Sequence, residues 1–86
     1  MTTAAALDQM LEPLARSLNV EAARAIAAVE LEPAIQARID QLADLCNEGL
    51  LNEAGRSEYR SYIEGAEIVS LLKLKARRAL RDRGEA

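Results

Sequence analysis

Hydrophobic side chains recur every three or four residues along most of this chain, which is the spacing that gathers them on one face of an α-helix. The first such stripe consists of Leu7, Met10, Leu11, Leu14 and Leu18. It predicts a short, Ala-rich helix from about Ala4, with the stripe as its apolar face. Pro13 lies inside the stripe, and because proline lacks a backbone donor we expect the helix to kink or restart there.

The next two predicted helices are marked by residues suited to helix ends. Asn19 is a good N-cap for a helix over residues 20–29, whose apolar face is mostly alanine. Pro33 is suited to the first turn of a third helix, and Gly49 to the left-handed conformation that closes it. The apolar stripe of this third helix consists of Ile35, Ile39, Leu42 and Cys46.

The longest predicted helix begins at Glu53, with Asn52 as its N-cap, and runs to about residue 82. Its inward face consists of Tyr59, Tyr62, Ile63, Ala66, Val69 and Leu72. Because the link before it is short, we expect residues 33–48 and 53–82 to form an antiparallel helical hairpin. The predicted fold class is therefore all-α, a small helical bundle of three to four helices around this hairpin.

The two arms of the predicted hairpin differ in length. At about 1.5 Å per residue, about 20 Å of the long helix around residues 69–83 outruns its partner. Its apolar residues point in several directions and form a candidate protein interface of Val69, Leu71, Leu72, Leu74, Ala76 and Leu80. Candidate electrostatic contacts are Lys73, Lys75, Arg77, Arg78, Arg81 and Arg83. The first two helices, a second copy or another protein are the surfaces that could cover this segment.

Composition adds to this picture without changing it. The chain has 86 residues, half of them hydrophobic, with two Tyr and neither Phe nor Trp, so its core is built from aliphatic residues and alanine. We expect one helical domain over residues 1–86, with residues 1–6 and 84–86 disordered. There is no signal-peptide pattern, and no apolar run reaches the roughly 20 residues that cross a bilayer. The expectation is a cytoplasmic protein without membrane contact.

Charge is distributed unevenly along the chain. Residues 1–72 hold five Arg against twelve Asp and Glu, whereas residues 73–86 hold six Lys and Arg against two acids. The basic end has three interpretations: a protein interface flanked by cations, a solvated helix end, or a surface for nucleic-acid phosphates. The chain as a whole is acidic, with an isoelectric point near 4.9, and no nucleic-acid-binding motif accompanies the cluster. The protein interface is therefore favoured.

The sequence offers no catalytic or metal-binding constellation. It contains no His, the commonest general base at neutral pH. Cys46, the single cysteine, is expected to be a buried and unreactive thiol on the apolar face of its helix. Tyr59 and Tyr62 are interpreted as core residues with wet hydroxyls rather than as a stacking platform for bases. We therefore expect no enzyme, no cofactor and no small-molecule substrate.

Several stretches resemble a small bacterial family of mostly uncharacterised all-α proteins. They are Leu42-Ala43-Asp44, Asn47-Glu48-Gly49, Arg56, Glu58-Tyr59, Tyr62 and Leu71-Leu72-Lys73-Leu74-Lys75-Ala76-Arg77. The resemblance covers about Leu11 to Leu80, and members of that family are often encoded beside a small HNH-type nuclease-like protein. This chain has Asn52-Glu53-Ala54-Gly55 where the family has a Thr-Pro-Glu-Glu type of helix opening, so we expect a weaker helix start here.

The expected function is that of a non-enzymatic protein–protein interaction module. It would self-associate, as a dimer or another homo-oligomer, or bind a partner protein through the C-terminal half of the long helix. The resemblance implies a nuclease-like protein as the first partner to test, with this chain as inhibitor, antitoxin-like protein or accessory subunit. The alternative is a nucleic-acid-binding regulator that uses the basic C-terminal end.

Overall fold

Four α-helices make up the regular structure in a computed structural model of the protein, which describes residues 3–84. They are α1 (Thr3–Arg16), α2 (Val20–Ala27), α3 (Pro33–Asn47) and α4 (Glu53–Asp82). No strand occurs between residues 3 and 84. The predicted all-α class is confirmed, and the boundaries of α3 and α4 lie within one residue of those predicted for the hairpin.

The chain divides into two compact units that share α4. The hairpin unit covers Glu30–Glu67 and contains α3 with the first half of α4. The N/C unit covers Met1–Val29 and Ile68–Ala86 and contains α1, α2 and the second half of α4. The part of the long helix that outruns α3 in length therefore belongs to the unit that contains the first two helices. That the chain acts as one domain over residues 1–86 stays a prediction.

The predicted helix starts are explained by local hydrogen bonds. The side-chain oxygen of Asn19 accepts a hydrogen bond from the backbone N–H of Ala22 at 2.8 Å, and that of Asn52 accepts one from Gly55 at 2.7 Å. Both contacts satisfy a backbone donor that has no partner within its helix. Pro33 occupies the first turn of α3, where its missing N–H costs nothing.

Gly49 closes α3 as predicted. Its φ of 72° lies in the left-handed region, where a residue without a Cβ atom is favoured. The N–H of Gly49 donates to the carbonyl of Cys46, and the N–H of Leu50 donates to that of Leu45 at 2.8 Å. This pair of bonds is a Schellman motif, which reverses the chain toward α4.

Gly55 makes room for a buried side chain at the start of α4. A Cβ atom at this position would lie 2.9 Å from Cδ2 of Leu51, which is closer than side chains pack. Leu51 is buried in the link between the two helices. The absence of a side chain at Gly55 thus lets Leu51 fold in beneath the first turn of α4.

The hairpin unit is organised around Leu42, the largest fully buried side chain between residues 5 and 84. Arg38 of α3 holds Glu58 of α4 through two parallel hydrogen bonds of 2.7 Å, from Nε and Nη2 to the two carboxylate oxygens. Tyr59 and Tyr62 are half-buried, in agreement with a core role. Two predictions for this unit are wrong, because Ile63, at the edge of its apolar stripe, and Cys46, in the last turn of α3, are exposed.

The core of the N/C unit is built from small residues. Ala23 of α2 and Ala76 of α4 are fully inaccessible to solvent, and Leu80 completes the buried cluster. Half-buried residues packed against it are Leu18, Val20, Ile26 and Ala27. Because alanine projects so little from the backbone, a pair of alanines allows two helices to approach closely. This explains why an alanine-rich α2 covers α4.

The first helix differs from its prediction in two respects. It is assigned as one helix through Pro13, so the predicted restart does not occur. It begins at Thr3, so residues 3–6 are helical and not disordered, and Gly84 lies in a turn. The rest of the predicted terminal disorder, at residues 1, 2, 85 and 86, lies outside the described residues.

Candidate interaction surfaces of the N/C unit

The structure divides the predicted apolar interface of α4 into covered and open parts. Ala76 is inaccessible to solvent and Leu80 is 7% exposed, because both belong to the cluster that α4 forms with α2. Their prediction as interface residues for a partner is corrected: the chain's own helix occupies them. Half-buried members of the predicted set are Val69, Leu71 and Leu72. Leu74, at 40% exposure, is the one member classed as exposed.

Lys75 is a further correction, because it is an internal cation and not a surface contact. The residue is 3% exposed, and its ammonium nitrogen lies 3.0 Å from Oδ1 of Asp8. The same nitrogen donates a hydrogen bond to Oε2 of Glu12. Asp8 and Glu12 are one turn apart on α1, so both carboxylates reach the same ammonium group. This contact joins α1 to α4.

The two carboxylates also determine the ionisation of Lys75. The hydrogen bond to Glu12, together with the attraction of Asp8, raises the pKa of Lys75 above its ordinary value against the opposing effect of burial. The lysine is therefore charged throughout the physiological range. With one cation against two carboxylates, the cluster leaves no positive charge from Lys75 for a partner.

Other cations predicted for this end remain on the surface. Arg77, Arg78, Arg81 and Arg83 are exposed, and Lys73 is half-buried. Between residues 3 and 84, no hydrogen bond or ion pair engages these five side chains. We refer to Leu74, Arg77, Arg78 and Arg81 as the basic edge, because positions three, four and seven residues after Leu74 lie on one face of the helix.

A shallow cavity lies beside the basic edge, between α1 and α4. It has a volume of about 140 Å³. Its lining residues are Glu12, Ala15, Arg16, Lys75, Arg78, Ala79 and Asp82. Both signs of charge occur in this wall, and Glu12 and Lys75 are already engaged with each other. Arg16 of α1 is thus placed on the side of its helix that faces α4.

The opposite side of α1 presents an exposed apolar surface that sequence reasoning missed. Met10 is 72% exposed and Leu14 is 60% exposed, although both belong to the stripe from which the helix was predicted. The inward side carries Asp8 and Glu12, which reach Lys75, together with the buried Ala15. One signal in the sequence could have shown this orientation. Asp8 and Glu12 are four residues apart, so both can face a single lysine of another helix.

The two units have opposite net charge. The N/C unit holds eight Lys and Arg against five Asp and Glu, which gives +3. The hairpin unit holds three Arg against nine Asp and Glu, which gives −6. The exposed positive charge of the N/C unit lies chiefly at Arg77, Arg78, Arg81 and Arg83. Lys75 adds nothing to it, because Asp8 and Glu12 neutralise this lysine internally.

Other features of the described chain bear on chemistry. Cys46 is exposed and lines a second cavity of about 140 Å³ with Gly49, Leu51 and Arg56. No cluster of three or more Cys, Asp or Glu residues within residues 3–84 is arranged to hold a metal ion. Nor does any helix in this range combine the length and apolar character needed to cross a membrane.

Comparison with known proteins assigns no function to these surfaces. No family model, no curated protein and no solved structure matches the chain.

Proposed function

We propose that the protein is a non-enzymatic, cytoplasmic interaction module that binds an acidic surface of a partner protein through its basic edge. The observation that carries this proposal is the exposure of Leu74 among three arginines that are engaged by no described residue. The other side of the same helix segment is already packed, as Ala76 and Leu80 show. The basic edge is thus the side of this segment that remains available.

The composition of the basic edge favours protein binding over a merely solvated helix end. Arginine is enriched at protein interfaces, because its planar group pairs with carboxylates through two hydrogen bonds and also packs against apolar surface. Leu74 adds an apolar contact at the N-terminal end of the patch, one turn before Arg77 and Arg78. A helix end that served only solubility would gain nothing from exposing a leucine there.

The internal pairing of Lys75 supports an acidic partner. Asp8 and Glu12 both form ion pairs with Lys75. Among the described residues, neither forms an ion pair with an arginine of the basic edge. Such a patch steers association with a surface of opposite charge and disfavours basic partners.

The resemblance described above suggests which partner to test first. It implies a small HNH-type nuclease-like protein encoded nearby, and the proposed role of this chain is that of its inhibitor, antitoxin-like protein or accessory subunit.

Co-elution of the two proteins in size-exclusion chromatography tests the proposal. Leu74→Glu places a carboxylate within the basic edge, one turn from Arg77 and Arg78, so we expect the complex to be lost. Ile63→Glu is a matched control, because Ile63 is 39% exposed and Leu74 is 40% exposed on the same helix. Retention by the control and loss by Leu74→Glu would support the proposal, and equal behaviour of both variants would contradict it.

A nucleic-acid-binding regulator is the alternative function, since the same exposed arginines could contact phosphates. Phosphate contacts release counterions, so binding would weaken steeply as salt rises. In a mobility-shift assay at low salt with mixed-sequence DNA and RNA, a shift abolished by Arg77→Glu would favour the alternative. The absence of any shift, together with co-elution of the protein partner, would favour the interaction module.

A further inference from the structure

We infer that α1 is an autoinhibitory arm, whose two carboxylates occupy Lys75 until an acidic segment of a partner takes their place. This inference rests on the proposed binding of an acidic partner by the basic edge, and it adds how that binding is regulated. With the arm closed, Lys75 is paired with Asp8 and Glu12. With the arm displaced, the same lysine becomes a further cation for the partner.

Lys75 is continuous with the basic edge along α4. Arg78 lies three residues after Lys75, so the two side chains are neighbours on one face of the helix. Arg78 belongs to the basic edge, and it also lines the cavity between α1 and α4 together with Lys75 and Glu12. The arm therefore borders the basic edge. An acidic segment that binds the edge approaches the carboxylates of the arm at this border, where like charges repel.

Few apolar contacts hold the arm in place. Within residues 5–16, Ala15 is the single buried residue, and Leu7 and Leu11 are half-buried. The large side chains of Met10 and Leu14 are exposed and add no packing against α4. Because apolar stabilisation scales with the area that is buried, the attachment of α1 is weak in apolar contacts and specific in its ion pairs.

The second helix is attached differently, so it can stay in place when the arm leaves. Ala23 of α2 packs with Ala76 and Leu80 in a fully apolar cluster, and Leu18 packs against the same cluster. The N-cap hydrogen bond of α2 is formed between residues 19 and 22, so the first turn of this helix needs nothing from α1. We therefore place the pivot of the arm at Ser17, between the end of α1 and the anchored Leu18.

Exchange of one set of carboxylates for another keeps Lys75 paired. A buried ammonium group without a partner destabilises the protein, but carboxylates of a bound acidic segment supply the charge that Asp8 and Glu12 withdraw. These two side chains are 43% and 49% exposed, so they already contact water and lose little when the arm leaves. A tethered arm competes at an effective concentration on the order of millimolar, so a displacing segment must also engage the arginines of the basic edge.

Fluorescence anisotropy of the full-length protein with a fluorescein-labelled polyglutamate peptide at low salt tests the inference. Asp8→Asn/Glu12→Gln removes both charges of the arm and keeps the side-chain size nearly constant. The apparent dissociation constant is inversely proportional to the fraction of open molecules, so we expect this variant to bind the peptide at least about fivefold more tightly than wild type.

Asp44→Asn/Glu48→Gln is the matched control. It removes one Asp and one Glu at the same spacing of four residues, from exposed positions at the end of α3. The change in net charge is therefore identical, but the arm is untouched. This control should bind the peptide within about twofold of wild type. An equal gain in both variants would overturn the inference, because net charge alone would explain it.

Hydrogen–deuterium exchange of the same proteins without peptide measures the opening of the arm. Asp8→Asn/Glu12→Gln should speed amide exchange in residues 7–16 at least about tenfold and leave residues 20–27 and 72–80 unchanged. Unchanged exchange in residues 7–16 would overturn the inference. So would an equal increase in all three segments, because it would show that α1, α2 and α4 open as one unit.

The binding results separate this inference from the proposed function. Peptide binding that Arg77→Glu/Arg81→Glu abolishes, with no gain in Asp8→Asn/Glu12→Gln, would support the basic edge and overturn the autoinhibitory arm. Absence of peptide binding by the wild type and by both arm and control variants would contradict the proposed function and, with it, the inhibitory role of α1.

Discussion

The ammonium nitrogen of Lys75 lies 3.0 Å from Oδ1 of Asp8, and this ion pair ties α1 to the second half of α4. The lysine is almost fully buried, whereas the Asp8 side chain is 43% exposed. Lys75 therefore depends on this ion pair more than Asp8 does. A buried ammonium group needs its carboxylates, but a half-exposed carboxylate can return to water.

This asymmetry gives the first prediction. Replacing Lys75 with Met should lower the free energy of unfolding by about 1 kcal/mol or less, because the released carboxylates are solvated. Replacing both Asp8 and Glu12 with Ala should cost about 3 kcal/mol, because it leaves a buried charge without a partner. Urea denaturation followed by circular dichroism measures both. A larger loss for Lys75→Met than for the double variant would contradict this account of the ion pair.

Close contact between α2 and α4 gives the second prediction. Ala23→Leu should destabilise the protein by about 1–3 kcal/mol, because added methylene groups have no space in a packed core. Ala25→Leu on the exposed side of the same helix should stay within about 0.5 kcal/mol of wild type. Thermal denaturation of both variants provides the comparison. Equal stability of the two variants would show that Ala23 does not lie in a tight helix contact.

The Arg38–Glu58 pair predicts how stability depends on acid. The hydrogen bonds from Arg38 hold the pKa of Glu58 below its usual value near 4.5. Its contribution to stability is therefore present above that value and is lost as pH falls through the lowered pKa of the folded state. NMR titration of the Glu58 carboxyl carbon should give a midpoint below 4.5 in the wild type.

Arg38→Met should raise the midpoint of the Glu58 titration and remove the corresponding part of the acid dependence of stability. Arg56→Met is the control, because no ion pair of Arg56 occurs between residues 3 and 84. A midpoint for Glu58 that is the same in the wild type and in Arg38→Met would be inconsistent with the hydrogen-bonded pair.

Two glycines are predicted to respond oppositely to alanine. Gly49 has a φ of 72°, so Gly49→Ala should cost about 1–2 kcal/mol. Gly65 lies inside α4, and the position that a Cβ atom would occupy there has no neighbouring side chain within 4 Å. Gly65→Ala should therefore stabilise the protein by about 1 kcal/mol. Thermal midpoints of the two variants should move in opposite directions. A shift of both in the same direction would contradict the assigned helix end.

Features of the fold that depend on local chemistry could be predicted from the sequence. Asn19 and Asn52 have side chains that satisfy helix donors, and Gly49 is suited to a left-handed turn, whatever the rest of the chain does. These residues fixed the helix boundaries to within one or two positions. The length difference between α3 and α4 also follows from the sequence, because those boundaries determine it.

The orientation of α1 could not be predicted in the same way. Its apolar residues cover a wide arc, so several rotations of the helix would bury some of them. The rotation adopted is the one that brings Asp8 and Glu12 to Lys75, a residue more than sixty positions later in the chain. Which cation of a basic cluster is buried depends on such a distant partner. For this reason Lys75 was predicted on the surface, and the apolar stripe did not show that Met10 and Leu14 are exposed.

Exposed residues of apolar stripes were the other source of error. Ile63 lies at the margin of its face, whereas Cys46 lies near the centre of its stripe but in the last turn of α3. Periodicity specifies which residues share a face of the helix, as the burial of Leu42 shows, but not how far along the helix that face is covered.

Charge reversal on two matched arginine pairs tests the proposed function most directly. Arg77→Glu/Arg81→Glu changes the basic edge, and Arg56→Glu/Arg60→Glu changes an equally spaced, exposed pair on the first half of α4. Titration calorimetry with the proposed nuclease-like partner should show a dissociation constant at least about tenfold higher for the first variant, which corresponds to about 1.4 kcal/mol. The second variant should bind within about twofold of wild type, and equal losses in both would contradict binding through the basic edge.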